Sequence, residues 1–137
     1  MVHIALVEDD QSCQEQMAGY LDHYAQQSGE EFKLYSFGDG DSILNNYRAQ
    51  YDVILMDIQM KFVDGMTAAR EIRGQDDQVL IIFITSLATY AVKGYEVDAL
   101  DYVLKPVSYF AFAKTMDRAM NRLRRRKRRY VLISSKN

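Results

Sequence analysis

Four apolar runs in this chain end in residues suited to phosphoryl and metal chemistry. Glu8, Asp9 and Asp10 follow "VHIALV", Asp57 follows "VILM", Thr85 and Ser86 follow "LIIFI", and Lys105 and Pro106 follow "DYVL". An ionised carboxylate at the end of a buried run is costly unless it is paired. Two carboxylates about 4 Å apart repel by roughly 4 kcal/mol at an effective dielectric near 20, so Glu8, Asp9 and Asp57 can share one site only with a cation. Hard oxygen donors, a single cysteine and two isolated histidines favour Mg²⁺ over zinc. Magnesium takes one or two carboxylates, keeps several waters and completes its shell with phosphate oxygen. Lys105 would then balance phosphoryl oxygens and Thr85 would donate a hydrogen bond. Asp57 would act as a carboxylate nucleophile at phosphorus, forming an acyl phosphate.

Taken singly, each residue has a plainer role. Asp10 suits a helix N-cap, Asp57 a solvated strand end, Thr85 an ordinary strand, Lys105 the surface, and Pro106 the start of a helix. The joint pattern is what points to chemistry, and it requires a fold that brings four strand ends together.

Strands are expected at residues 2–7, 32–37, 52–57, 79–85 and about 100–104. The first, third and fourth are nearly continuous in apolar residues, as buried parallel strands are. The second alternates more and belongs near an edge. Between them lie helical spacings at Cys13, Met17, Leu21 and Tyr24, at Ile43, Leu44 and Tyr47, and at Met66, Ala69 and Ile72. A short helix follows near Ala88 to Tyr95. A last helix from about Val107 places Phe110, Ala113, Met116, Met120 and Leu123 on one face. This alternation predicts an α/β fold, a parallel sheet with helices on both faces and right-handed crossovers. In such sheets, sites form at the carboxyl ends of the strands, where the residues named above fall.

The 137 residues, 48% hydrophobic and 26% charged, suit one domain with a short appendage. The longest apolar run, "VLIIFI", is far short of the roughly 20 residues of a membrane helix, and "MVHIALVEDD" lacks the cationic start of a signal peptide. No membrane span and a cytoplasmic location are expected. Cys13 alone allows no internal disulfide. The net charge of −2 hides an asymmetry: residues 1–113 hold 18 acidic and 7 basic side chains, and residues 114–137 hold 1 and 10.

"LVEDD", "ILMDIQM" with "DG" at 64 and 65, "FITS" and "DYVLKP" occur in the order seen in the receiver domains of two-component response regulators, which residues 1–123 resemble. The stretch "ITSLATYAVKGYEVDALDYVLKPV" further resembles the LytTR-type subgroup. The resemblance implies a flavodoxin-like, doubly wound five-stranded sheet of order 2-1-3-4-5. It makes Asp57 the phosphoacceptor and Asp9 a direct Mg²⁺ ligand, with Glu8 acting through a metal-bound water and the Gln59 carbonyl as a further ligand. Thr85 and Lys105 would contact the phosphoryl group, across a Lys105-Pro106 bond expected to be cis, and Tyr102 would turn inward as Thr85 moves. The donor would be a sensor histidine kinase. The output face would comprise the fourth helix, fifth strand and fifth helix, with homodimerisation there. Lys61 departs from the proline common in the family at that place.

Residues 124–137 form a basic linker in which "YVLIS" is strand-like and resembles the opening of a LytTR DNA-binding domain. The chain is therefore expected to be a truncated regulator that reaches DNA only through its missing output domain. A solvated extension of the last helix is the favoured reading of "RLRRRKRR", with nucleic-acid contact as the alternative. Three rival functions remain. A flavin binder would need a phosphate cradle where "VEDDQS" offers repulsion. An aspartyl phosphatase would need a second carboxylate where Gln59 stands. A partner-binding pseudo-receiver would not need the complete acid, Thr and Lys set.

Overall fold

The structure, a computed structural model, describes residues 1–87 and 96–135. Five parallel strands, β1 (Val2–Val7), β2 (Phe32–Phe37), β3 (Val53–Met56), β4 (Leu80–Thr85) and β5 (Asp101–Leu104), form one sheet of order β2-β1-β3-β4-β5. The expected architecture and strand order are both found, with β2 at an edge. The helices are α1 (Gln11–Ser28), α2 (Gly40–Leu44), α3 (Gly65–Gln75) and α4 (Tyr109–Ser135). The helix expected near residues 88–95 falls outside the described residues.

Side chains alternate across the sheet with period two, so each buried strand feeds two cores. Ala5, Val7, Ile54, Met56, Ile81 and Phe83 face one side, where Ile43 of α2 and Met66, Ala69 and Ile72 of α3 close over them. Ile4, Leu6, Val53, Leu55 and Ile82 face the other, under Met17, Leu21 and Tyr24 of α1 and Phe112, Met116 and Met120 of α4. Both faces of β1, β3 and β4 are buried, which is why those strands read as unbroken apolar runs.

Local chemistry sets the helix ends. The Asp10, Asp39 and Asp64 side chains each accept backbone N–H groups at the start of α1, α2 and α3. Gly29 closes α1 at φ 76°, a left-handed conformation that a Cβ disfavours. Gly19 lies inside α1, and nothing stands within 4 Å of the place a Cβ would take, so Gly19→Ala removes only the glycine's helix penalty. We expect it to stabilise the protein by about 1 kcal/mol, read as a rise in the urea midpoint at unchanged slope.

Three expectations differ from the structure. The second helix stops at Leu44, because Asn45 is extended and Asn46 takes φ 60°. Tyr47 therefore enters the core from a turn, its hydroxyl donating to Asp76 Oδ2 at 2.7 Å. On α4, Phe110 is 70% exposed while Phe112 is 2% exposed. Ser108 caps the backbone at Ala111 and Phe112, and this start to the helix turns Phe112 to the sheet and Phe110 outward beside Lys114. Residues 130–134, strand-like in sequence, continue α4. A lone strand there would leave its backbone groups unpaired, whereas the helix satisfies them internally.

Candidate functional site: an acid pocket at the carboxyl edge of the sheet

Strand register brings the candidate residues to one level. Val7 pairs with Met56 and Met56 with Phe83, and Thr85 pairs with Leu104. The chain therefore leaves β1 at Glu8, β3 at Asp57 and β5 at Lys105 along a common edge. Ladder-like bonds extend past the strands, with Asp57 N donating to Val7 O at 3.0 Å and Lys105 N to Thr85 O at 2.9 Å.

Glu8 and Asp57 are 2% and 5% exposed, Thr85 is fully buried, and Asp9 faces solvent. One oxygen from each of Glu8, Asp9 and Asp57 lies within 4.8 Å of the others. The Lys105 ammonium donates to both Glu8 oxygens at 3.1 Å and to Asp57 Oδ2 at 2.8 Å. Asp57 Oδ1 accepts the Gln59 backbone N–H at 3.1 Å. The Gln59 side chain is exposed. Thr85 Oγ1 accepts the Leu87 N–H at 3.4 Å, and the Thr85 hydroxyl also bonds to the Asp57 carboxylate.

The two buried acids respond oppositely. Burial pushes the Glu8 carboxyl up to about 7, with the neighbouring Asp57 charge adding to this and Lys105 only partly opposing it. Burial also disfavours the Asp57 charge, but bonds from Lys105, Thr85 and Gln59 more than offset it and hold that carboxyl below its ordinary value. Burial works against Lys105 as well, yet its bonds to Asp57 and Glu8 keep the ammonium above the usual lysine value. The site thus favours the charged form of Asp57, as a nucleophilic carboxylate requires.

The donor set fits Mg²⁺: three carboxylates converge, one is open to water, and no thiolate or imidazole is among them. Lys105 occupies the role of counter-cation in this arrangement. Removing it leaves two mostly buried carboxylates facing each other. Lys105→Met is expected to cost about 2 kcal/mol in chelator-containing buffer, below the 3–5 typical of a broken buried pair because the amine is partly solvated. Millimolar Mg²⁺ should recover most of that loss, as read by urea unfolding.

Asp10, the remaining acid of "EDD", turns away to cap α1, its Oδ1 accepting from Ser12 N at 2.9 Å and Cys13 N at 3.4 Å. Tyr102 packs its ring on Phe83 at 6.1 Å between centroids, and its hydroxyl donates to the Leu87 carbonyl. The Lys105-Pro106 bond is cis. Two supporting residues escaped the sequence reading. The Gln14 amide donates to the Glu8 carbonyl, for which helical spacing offers no signal. Gly65 starts α3 directly against the Asp57 backbone, and the "DG" pair was its only trace.

Fold and site together define a doubly wound domain with a carboxylate pocket closed by a lysine. Residues 4–117 match the response regulator receiver domain, and the chain belongs to that family, the receiver domains of two-component systems. It is 35% identical over 128 residues to the sensory transduction protein LytT of Oceanobacillus iheyensis, a match covering 90% of this chain and 48% of that protein. It is 28% identical over 104 residues to LytR of Streptococcus agalactiae, covering 75% and 42%. These relatives agree with the LytTR-type subgroup, and the chain spans about half of their length. Among solved structures, the response regulatory domain of mrkE from Klebsiella pneumoniae superposes with a TM-score of 0.81 at 24% identity, over 90% of this chain and 99% of that one. TrrA of Thermotoga maritima, solved in complex with Mg²⁺-BeF, superposes with a TM-score of 0.74 at 22% identity, over 87% and 99%. At these identities the likeness carries the fold. Receiver domains are phosphoacceptor switches that bind Mg²⁺ at an acidic pocket. No helix among the described residues is long and apolar enough to cross a membrane.

Proposed function

We propose that this chain accepts a phosphoryl group on Asp57 from a phosphohistidine of a sensor kinase, in a Mg²⁺-dependent reaction. The observation that carries this is the convergence of Glu8, Asp9 and Asp57 oxygens within 4.8 Å beside the Lys105 ammonium, 2.8 Å from Asp57. Glu8, Asp9, Asp57 and the Gln59 carbonyl would hold the ion, which would neutralise charge on the phosphoryl oxygens when bound. An Asp57 oxygen forms the new bond to phosphorus as the phosphorus–nitrogen bond of the donor breaks and its electron pair stays on the imidazole. The Gln59 N–H fixes one carboxylate oxygen, and Lys105, already on the other, follows the charge onto the incoming group. Hydrolysis of the acyl phosphate would reset the switch, with no other turnover.

Phosphorylation adds about −1.5 to −2 charges. Thr85, drawn toward the new oxygens, would leave room for the Tyr102 ring, which lies between Phe83 and the Leu87 carbonyl. The moving surface would comprise β5 and α4, the helix expected near residues 88–95 lying outside the described residues. Homodimerisation there would pass the signal to an attached DNA-binding domain that regulates transcription, beginning beyond residue 123 and supplied by the remainder of a longer regulator. The LytT and LytR relatives, sensory transduction proteins of about twice this length, support that arrangement.

The test is to incubate the protein with acetyl phosphate, with and without Mg²⁺, and weigh it intact. A gain of one phosphoryl group only with Mg²⁺, mapping to Asp57, is expected; a gain independent of Mg²⁺ or mapping elsewhere overturns the reading. Sedimentation with beryllofluoride checks the dimer, which an unchanged monomer would refute.

A further inference from the structure

The acid pocket uses one end of the sheet. At the other end, the run of seven basic residues in eight from Arg122 to Arg129 has no role in phosphoryl chemistry. Beside the start of β4 and β5, a cleft of about 210 Å³ includes Arg73, Arg118, Arg122 and Arg126 in its wall, together with Asp77 and Asp98. A second cleft of about 350 Å³ shares Arg122 and Arg126, adds Arg125 and Arg129, and has no acidic lining residue among the described residues.

These arginines are held against the body of the domain. Arg73 donates to the Val97 and Val79 carbonyls at 2.7 and 2.8 Å. Arg118 donates to the Asp101 carboxylate at 2.9 Å and the Leu100 carbonyl at 3.2 Å, and Arg126 donates to the Gln78 carbonyl. Arg122 stands half-buried between Arg118 and Arg126, one turn from each, with no hydrogen bond or ion pair among the described residues. Like charges at that spacing repel. Burial, and then Arg122 and Arg73, pull the Arg126 guanidinium below its ordinary value. On the other side of the helix, Arg124 meets Glu30 at 3.5 Å and is already satisfied.

The arrangement suits an anion. Six of the seven basic residues in the run are arginine, whose planar fork matches phosphate oxygens in pairs. From Arg118 to Arg129 the stripe extends about 16 Å along the helix, longer than one small phosphate ester and suited to a line of phosphates. Duplex DNA presents one charge per roughly 1.7 Å of its axis. We propose that Arg122, Arg126 and Arg129, steadied by the anchored Arg73 and Arg118 and by the single Arg126 bond to the Gln78 carbonyl, take the backbone phosphates of duplex DNA without reading its sequence. The receiver end of a regulator would thus add non-specific affinity to whatever its output domain recognises. This inference does not rest on the acid-pocket reading.

Fluorescence anisotropy of a labelled 20-base-pair duplex of arbitrary sequence, titrated with this chain, tests it. Three neutralised phosphates give a log–log salt slope of about −2.7, so affinity should fall roughly 40-fold between 50 and 200 mM salt. A scrambled duplex should bind equally. R122Q/R126Q should weaken binding at least tenfold and reduce the slope by about 1.8, whereas R124Q/R128Q, which removes the same charge, should change affinity less than threefold. Both double variants should melt like the wild type. Equal losses in the two variants would mean bulk charge alone and would overturn the proposal, as would no binding at 50 mM salt. Saturable binding of tripolyphosphate without duplex binding would overturn it in favour of a small polyphosphate in the clefts. Salt-sensitive self-association abolished by R122Q/R126Q, again without duplex binding, would overturn it in favour of a second copy of the chain.

Discussion

Asp57→Asn should abolish the Mg²⁺-dependent mass gain from acetyl phosphate, lowering the rate by on the order of 10³-fold or more, because it removes the sole nucleophile and leaves no neighbour able to replace it. Asp9 is solvated and Glu8 shares both of its oxygens with Lys105. The amide has the shape of the acid and can keep the Gln59 N–H bond through its carbonyl oxygen. Lys105 retains Glu8 as its partner. The variant should therefore stay folded, with a urea midpoint in chelator no lower than the wild type by more than about 1 kcal/mol equivalent. A variant that unfolds would show that Asp57 is needed mainly for structure. One that still gains the phosphoryl mass would place the acceptor elsewhere.

Gly65→Ala is the second large effect, and it acts through backbone. A Cβ at residue 65 would lie 2.1 Å from the Asp57 carbonyl oxygen and 2.8 Å from the Ile58 Cα. Neither atom belongs to a flexible side chain, so the loop between β3 and α3 must move. That loop is pinned by Gly65 N donating to Ile58 O at 2.8 Å, and it carries Asp57 and Gln59 at its other end. Destabilisation of about 3 kcal/mol is expected, a fall in melting temperature of roughly 10 °C for a chain this size. Phosphorylation by acetyl phosphate should slow in the molecules that remain folded, since the acceptor is displaced. Gly74→Ala, at a position in α3 with nothing within 4 Å, is the control. It should leave both stability and rate within the range of the wild type or slightly above.

Much of the pocket was legible in the sequence because strand ends are easy to find. The strands at 2–7, 53–56 and 80–85 are buried on both faces toward their carboxyl ends, so each ends at or beside the polar residue that closes its apolar run. In a parallel sheet those ends lie at one edge. Glu8, Asp9, Asp57, Thr85 and Lys105 could therefore be gathered before any distance was known, and the structure brings all five to that edge. Gln59 contributes its backbone rather than its side chain, which is why its residue type carried little signal.

Contacts between distant segments were not legible. The Lys105 ammonium bridges Glu8 and Asp57 across 97 and 48 residues of chain, and no local pattern encodes which carboxylate a lysine will choose. Phe110 and Phe112 both fit an apolar face at the beginning of a helix, and only the cap at Ser108 and the packing against Tyr20 of α1 select Phe112.

Residue types and periodicity by themselves determined the fold class and which side chains reach the carboxyl edge, because burial on a regular lattice is a one-dimensional signal, whereas the strand order came only from the family resemblance. Tertiary structure alone decided how closely Gly65 must approach Asp57. It also decided that Arg118 and Arg126 turn back onto the domain while Arg122 stays unpaired among the described residues. Those outcomes depend on distances of a few ångströms between segments far apart in the chain, where electrostatic and steric energies change steeply and sequence spacing carries no information.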